Sequence, residues 1–325
     1  MSRLVIGVDV GGTKISVAPL GAPAVVTPTD CEGAAELIDQ IVDQVRLAAD
    51  GRPPDAVGVG IPSVIEFATG RVRSSVNIPL HDIPLREELG RRLGTLVFVD
   101  NDATLAALAE AHDEDGRLTT RNLVMLTLGT GVGGGIVVDG RVYRGATGAA
   151  GELGHTMIAA DPDRDYQADP PADAGFFPRP GSFEALAAGH VLDQLARESA
   201  AEHPDSALGR LGFPVSGPDA VAAADDGDPD AIEILARLGR RLGIGIANVI
   251  NTFDPDVVAI GGGVSAAGEL LLGPAREAAR AFVLPGVGTQ TEIRIARAGP
   301  DAGVRGAALL ARGELNNQVR EGHPG

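Results

Sequence analysis

The amino-acid sequence predicts an α/β fold made of two related domains that face each other across a cleft. Strand-like and helix-like patterns alternate along most of the chain, as is typical of α/β domains. A strand, a turn rich in glycine and threonine, and a returning strand occur twice, starting near residues 3 and 122. The length of 325 residues is enough for two domains that each bury their own core.

The first half of the chain opens with a strand over residues 3–10 and a returning strand from Lys14, joined by a glycine turn at 11–13. Apolar residues at 37–45 then recur at helical spacing. The pattern that follows predicts, in order, a strand at 55–61, a short helix after Pro84, a strand at 96–99 and an alanine-rich helix at 102–111.

The second half repeats the pattern of strand, glycine turn and returning strand. It has a strand at 122–128, a glycine-rich turn at 129–135, and a pair of strands joined at Asp139 and Gly140. Residues 159–181 are rich in Asp, Pro and Gly, which favours an irregular segment. The remaining pattern predicts helices over 183–250, with a long one from Pro229, then a strand at 256–260, a helix near 266–281 and a final helix near 304–314. That final helix is compatible with packing on either domain.

The composition excludes several classes of function. The chain has 44 acidic and 27 basic residues, and its net charge of −17 would repel nucleic acids and anionic membrane surfaces. Nowhere do about 18 apolar residues run without a charge, so we expect neither a membrane span nor a signal peptide. Because Cys31 is the only cysteine, an internal disulfide is impossible and a cytoplasmic location is expected.

The two glycine turns are candidates for phosphate binding, because glycine lets successive backbone N–H groups converge on an anion. Gly11, Gly12 and Thr13 form the first turn, and Lys14, the only lysine of the chain, follows it. Each turn taken alone is equally compatible with a structural hairpin. Asp9, at the end of the first strand, is a candidate to hold Mg²⁺ through water or, alternatively, to cap the turn.

Polar residues at three other places can act on a substrate. Asp100, Asn101 and Asp102 follow a buried strand and precede a helix, where an amide can hold a hydroxyl group and a carboxylate can accept its proton. Capping of the helix is the simpler alternative. Glu152, His155 and Glu184 are likewise candidates that, each taken alone, also fit surface or core roles.

Taken in order, these motifs resemble those of the ROK sugar kinases (repressor, open reading frame, kinase), a family of the actin-like ATPase superfamily, and its bacterial glucokinases most of all. The resemblance covers nearly the whole chain. It implies two actin-like α/β domains and the use of ATP with Mg²⁺. The segment from Asp9 to Lys14 resembles the family's first phosphate motif, and residues 129–135, with Thr130, Gly131 and Gly133, resemble the second. The adenosine motif is matched by Gly261, Gly262 and Gly263.

The same resemblance implies the roles of the other polar residues. Asp102 would be the general base, and the sugar hydroxyls would be held by Asn77, Asn101, Asp102, Glu152, His155 and Glu184. The family also implies a homodimer. Residues 1–118 with about 302–325 would form a small amino-terminal domain, and residues 119–301 a large domain.

The chain departs from the family pattern in two places. The family binds zinc through a histidine that matches His155 and three cysteines, whose positions here hold Gly175, Phe177 and Ser182, so we expect no zinc site. Packing of Phe176, Phe177 and Phe183 is the expected replacement. Leu80, His81 and Asp82 stand where glucokinases usually have Gly and Trp, which bears on substrate identity.

The expected function is ATP-dependent phosphorylation of the 6-hydroxyl of glucose or a closely related hexose. The alternative is a kinase for an amino sugar or a C7-cyclitol in a specialised pathway. A sugar-sensing repressor would need an amino-terminal DNA-binding segment, whereas the first phosphate strand here starts by Arg3. A catalytically inactive sugar-binding module is disfavoured by the presence of Asp102 and both phosphate turns.

Overall fold

The computed structural model describes residues 3–30, 32–75, 78–160, 177–212 and 214–321, with the backbone alone at 320 and 321. These residues pack into two units. The first unit holds the chain up to residue 123, residues 135–151 and the chain from residue 297, and the second unit holds residues 124–134 and 152–296. Residues 135–151 thus pack with the first unit, whereas the sequence division assigns them to the large domain. That division stays a prediction.

The elements of the amino-terminal part of the chain are β1 (Val5–Val10), β2 (Lys14–Pro19), β3 (Val25–Pro28), α1 (Ala34–Ala49), β4 (Ala56–Ile61), β5 (Ser63–Glu66), β6 (Arg71–Ser75), α2 (Leu85–Leu93), β7 (Leu96–Asn101) and α3 (Asp102–Glu110). A five-stranded mixed sheet has the order β3-β2-β1-β4-β7. Strand β2 is antiparallel to β1 and β3, while β4 is parallel to β1 and β7. Strands β5 and β6 form a separate ribbon.

The strands of the rest of the chain are β8 (Leu123–Leu128), β9 (Val132–Val138), β10 (Arg141–Val142), β11 (Val257–Gly261) and β12 (Glu292–Ile295), and they form a second sheet in the order β10-β9-β8-β11-β12. The helices are α4 (Phe183–Ala187), α5 (Gly189–Glu202), α6 (Ala207–Arg210), α7 (Gly217–Asp225), α8 (Pro229–Phe253), α9 (Gly268–Phe282) and α10 (Ala302–Glu321). Short 3₁₀ turns span Leu153–His155 and Gly263–Ala267.

The core of the first unit lies on both faces of its sheet, because successive side chains of a strand point to opposite faces. Ile6, Val8 and Val10 of β1 pack in a cluster that includes the apolar face of α1. On the other face, α3 and α10 pack against the sheet. Gly58 is required there, because a Cβ at this position would overlap the backbone of Ala307 in α10.

The α/β class, the order of the main elements and the long helix from Pro229 are confirmed. The predicted turn at 129–135 is wrong in extent: β9 begins at Val132, so Gly133 lies in a strand and not in the turn. The sequence pattern does not predict β3, the β5–β6 ribbon or β12. Among the described residues, no helix is both long and apolar enough to cross a membrane.

Candidate active site

The first glycine turn is a tight hairpin between β1 and β2. The Gly11 N–H donates to the Lys14 carbonyl at 2.8 Å, and the Thr29 hydroxyl donates to the Gly11 carbonyl at 2.7 Å. Thr13 and Lys14 are both exposed. The turn therefore has the geometry of a structural hairpin and also presents a hydroxyl and an ammonium group to solvent, as an anion site requires.

Asp9 lies at the carboxyl end of β1, close to the start of α10. A Cβ at Gly303 would overlap its carboxylate, so glycine leaves the space that this carboxylate fills. Burial, with the nearby Asp102 carboxylate adding to it and Lys14 opposing it, raises the pKa of Asp9 from its usual 3.8 to about 6. The Asp9 carboxylate accepts no hydrogen bond from another described residue. A carboxylate without a donor beside a second acid fits a hard cation such as Mg²⁺.

Asn101 and Asp102 stand where β7 ends and α3 begins. The Asn101 side chain accepts a hydrogen bond from the Thr104 N–H at 3.1 Å, so it caps the helix, and its amide donates to the Ser63 carbonyl at 3.4 Å. Asp102 accepts from the Ala103 N–H at 2.9 Å. Burial raises the pKa of the Asp102 carboxyl, and hydrogen bonds, that of the Ala103 N–H first, oppose the rise. Capping and a role on substrate are compatible for this pair.

Glu184 is joined to the second glycine turn. Its Oε2 accepts a hydrogen bond from the Val132 N–H at 2.8 Å, and a Cβ at Gly131 would overlap the carboxylate. The α4 helix that carries Glu184 is capped by Ser182, whose hydroxyl accepts from the Ala185 N–H at 3.3 Å. One oxygen of Glu184 is thus fixed by the backbone, while its other oxygen accepts no hydrogen bond from any described residue.

Glu152 and His155 lie at the two ends of one 3₁₀ turn. Their side chains are 54% and 39% exposed, and His155 Nε2 lies 3.8 Å from Glu152 Oε2. The turn passes close to β9, since a Cβ at Gly154 would overlap the Val132 carbonyl. Both side chains are accessible to a ligand.

The residues present do not fit zinc. At the positions of two zinc-binding cysteines, Phe177 packs edge to face on His155 with ring centroids 5.4 Å apart, and Ser182 is buried as a helix cap. Phe183 is buried against Gly245 of α8. No group of three potential metal-ligating side chains occurs within the described part of the chain. Gly175 and Phe176 lie outside the described residues, and so does Asn77.

A cavity of about 560 Å³ lies in the second unit, next to the second glycine turn and the third glycine motif. Gly129 and Thr130 line one side of it. Gly263 also lines it and has open space where a side chain would stand. Gly262 adopts φ +83°, and a Cβ there would overlap the Leu128 backbone, so glycine is needed at this position.

Helices α5 and α7 supply most of the remaining cavity wall, which the sequence pattern does not predict. These lining residues include Gly189, His190, Leu192, Asp193, Gly217, Pro218, Val221, Ala222 and Asp225. The Gly189 N–H donates to the Gly129 carbonyl at 2.7 Å, which ties α5 to the turn. In the sequence, this wall is indicated only by the small residues at the start of α7, followed one turn later by Val221 and Ala222.

Comparison with known protein families matches residues 5–314 to the ROK family. The chain belongs to the ROK family. It is 36% identical to the glucokinase of Halalkalibacterium halodurans, with 98% of each chain covered, and 32% identical to the N-acetyl-D-glucosamine kinase of Aliivibrio fischeri, with 94% and 98% covered. The structure is similar to that of a ROK family glucokinase from Streptomyces griseus in complex with glucose and AMPPNP. The TM-score is 0.75 at 32% identity, over 95% of this chain and 99% of that one. The expected two-domain actin-like fold is confirmed.

Proposed function

We propose that this protein is an ATP-dependent sugar kinase that transfers the γ-phosphoryl group of ATP to the 6-hydroxyl of glucose or a closely related hexose. The observation that carries the proposal is the cavity at the second and third glycine motifs, whose size and mostly apolar wall suit an adenosine group. The similarity to glucokinases over nearly the whole chain supports glucose as the acceptor.

The proposed nucleotide-binding residues come from the three glycine motifs. Gly261, Gly262 and Gly263 would lie against the adenosine, and the phosphates would be bound by Gly11, Gly12, Thr13, Lys14, Thr130, Gly131 and Gly133. Asp9 would hold Mg²⁺ through water. Its raised pKa and the lack of a hydrogen-bond donor to its carboxylate among the described residues support this role. Bound Mg²⁺ neutralises phosphate charge that a protein of net charge −17 would otherwise repel.

The acceptor sugar would be held by Asn77, Asn101, Glu152, His155 and Glu184, with Asp102 as the general base. Proton transfer requires Asp102 in its ionised form, and the hydrogen bond from the Ala103 N–H stabilises that form and orients the carboxylate. The raised pKa of Asp102 makes it a stronger base than an exposed aspartate. Orientation and charge stabilisation supply most of the catalysis in phosphoryl transfer.

A kinase for an amino sugar or a C7-cyclitol is the second candidate. The similarity to N-acetyl-D-glucosamine kinases favours a nitrogen-bearing acceptor, and the accessible Glu152 carboxylate suits a protonated ring amine. The altered segment Leu80 to Asp82 also supports it: Asp82 adopts φ +52° and pairs with Arg71 at 2.8 Å. Glucokinases usually have Gly and Trp in this segment, so its side chains differ from those expected of a glucokinase.

An ADP-release assay over a panel of acceptors tests both candidates. The panel is glucose, mannose, N-acetylglucosamine, glucosamine, a valiolone-type cyclitol and 6-deoxyglucose, compared by kcat/KM. We expect glucose to be phosphorylated and 6-deoxyglucose, which lacks the acceptor hydroxyl, to be inert. If another acceptor exceeds glucose by more than about a hundredfold, or ~2.7 kcal/mol in transition-state binding, the second candidate replaces the first.

The proposal also covers the oligomeric state, cellular location and binding partners of the protein. We expect a homodimer, a cytoplasmic location, and no binding to nucleic acid or membranes. The family resemblance supports the homodimer, and the net charge of −17 supports the absence of polyanionic partners. Light scattering of the purified chain measures the oligomeric state, and a 33.1 kDa species alone would contradict the homodimer.

A further inference from the structure

Asp100, the first member of the polar triplet, is a buried carboxylate paired with an arginine. It is 1% exposed, and the Arg144 Nε donates to its Oδ2 at 2.8 Å. The two residues lie 44 positions apart in the sequence. The proposed function gives neither residue a role, although Asp100 directly precedes the proposed sugar ligand Asn101 and general base Asp102.

Two further contacts hold Arg144. Its guanidinium carbon lies 3.5 Å from the centroid of the Phe67 ring, within the range of a cation–π interaction. Its backbone carbonyl accepts a hydrogen bond from the Ala150 N–H at 3.1 Å, which closes the loop between β10 and Glu152. The arginine is therefore a fixed partner, unlike a mobile surface side chain.

The other oxygen of Asp100 accepts a hydrogen bond from the Asn101 N–H at 2.9 Å. The orientation of the Asp100 carboxylate therefore fixes the peptide that joins it to Asn101. Asn101 in turn caps α3, whose first residue is Asp102. A change in the Asp100 carboxylate is transmitted through one peptide to the cap and through the next to the general base.

We infer that Arg144 is a positioning residue for phosphoryl transfer, which acts by pairing with Asp100 and thereby holding Asn101 and Asp102 in place. This inference rests on the proposed function, in which Asp102 is the general base. Arg144 itself touches no reacting group in this role. Its second effect is to balance the charge of the buried Asp100 carboxylate, two residues before Asp102.

The charges around Asp100 make this role sensitive to pH. Burial raises the pKa of the Asp100 carboxyl, Arg144 opposes that rise, and Glu314 of α10 adds to it. Arg86 of α2 is the other charged group nearby, and its hydrogen bond at 2.9 Å goes to the Ala68 carbonyl. Without Arg144, the buried carboxylate would keep one N–H donor only and would take up a proton closer to neutral pH.

The test compares Arg144→Met with Asp100→Asn, the double variant, Arg144→Lys and the control Arg141→Met. Arg141 lies three residues before Arg144 and is exposed, and its side chain has no hydrogen bond or ion pair with a described residue. At pH 8 we expect Arg144→Met to lower kcat by about 10- to 100-fold, with KM for glucose and ATP within about threefold. The deficit relative to the unaltered protein should shrink as pH falls, because protonation removes the unpaired charge.

The double variant decides between a charge effect and a lost contact. The amide oxygen of Asp100→Asn can still accept from the Asn101 N–H and leaves no unpaired buried charge, so the double variant should recover kcat to within about threefold of the unaltered protein. Arg144→Lys should retain more activity than Arg144→Met. The inference is overturned if Arg144→Met keeps full kcat, if the double variant is as impaired as it, or if Arg141→Met loses as much.

Two arrangements keep the result interpretable. If Arg144→Met does not fold, the double variant and Arg144→Lys still show whether kcat depends on the charge at 100 and 144, and equal loss of kcat in both contradicts the inference. Asp102→Asn is assayed in parallel. Unchanged turnover in Asp102→Asn would refute only the role of Asp102 as the general base. The coupling between Asp100 and Arg144 is measured separately, by comparing their two single variants with the double variant.

Discussion

The acidic side chains among the candidate residues differ between the two units. In the first unit, burial raises the pKa of both Asp9 and Asp102, and each lies at the end of a parallel strand of one sheet. In the second unit, Glu152 is exposed to 54%, and Glu184 is partly buried with one oxygen bound by a backbone N–H. Carboxylates whose pKa is raised suit proton transfer and cation binding, while Glu152 and the oxygen of Glu184 that the backbone does not bind suit hydrogen bonds to a polar ligand.

The largest expected effect comes from Asp102. Asp102→Asn keeps the size of the side chain and an oxygen that can accept from the Ala103 N–H, so the fold should persist. Loss of a general base typically lowers the rate by ~10²–10⁴, and kcat should fall by that factor with little change in sugar binding. Steady-state kinetics with a separate measurement of sugar affinity would show this. Retention of normal turnover would mean that Asp102 is not the general base and that its raised pKa serves another purpose.

Asp9 should give the first unit a pH-dependent stability. Folding raises its pKa to about 6, so its contribution is favourable below its unfolded pKa near 3.8 and is lost as pH rises through 6. At pH 8, Asp9→Asn should therefore be more stable than the unaltered chain by up to about 3 kcal/mol, and the gain should vanish near pH 4.

Denaturant unfolding at several pH values measures this difference. Asp43→Asn is the matched control, because Asp43 is an exposed acid of the same unit. Mg²⁺ at pH 8 should stabilise the unaltered chain more than Asp9→Asn. Equal pH dependence in the two chains would contradict the proposed environment of Asp9.

Glu184→Gln should affect binding more than turnover. The Gln oxygen can still accept from the Val132 N–H, so the turn should remain, but the charge available to sugar hydroxyls is lost. We expect KM for glucose to rise about tenfold, or ~1.4 kcal/mol, with kcat within about threefold. Glu233→Gln, at an exposed acid on α8, is the control. A loss confined to kcat would place Glu184 among the catalytic acids.

Phe177→Ala tests whether an aromatic contact orients His155. The ring is 54% exposed, so its removal should cost little overall stability. Edge-to-face pairs contribute ~0.5–1.5 kcal/mol, and loss of the contact should raise KM for glucose by about two- to tenfold. Phe282→Ala, at another exposed phenylalanine of the second unit, serves for comparison. Identical KM values in both variants would show that His155 needs no support from Phe177.

The smallest effect is expected from metal chelators. Since the three cysteine positions hold other residues, purified protein should carry well below one zinc ion per chain, and EDTA should leave its Tm unchanged. Activity should still require added Mg²⁺. Elemental analysis that finds stoichiometric zinc would demand a different ligand set.

The sequence predicts those parts of the site that are local in the chain. Thr13 directly precedes the strand β2, and Asn101 stands at a strand-to-helix junction, so pattern alone locates them. Much of the wall of the proposed nucleotide cavity comes from α5 and α7, and only tertiary packing brings these helices to Thr130. The pairing of Asp100 with Arg144 is missed for the same reason. The strand β3 was missed because its residues are largely exposed and do not alternate between apolar and polar.

The packing of α10 on the first unit has a consequence for synthesis of the protein. Ala307 and Ala308 lie in one core cluster with Val5 and Ala56, so the core around β1 and β4 is completed by residues that are synthesised much later. At about 5–20 residues per second, some 200 residues separate α3 from α10 and correspond to roughly 10–40 s. During that interval the nascent first sheet carries an uncovered apolar face, which is the type of surface that chaperones bind.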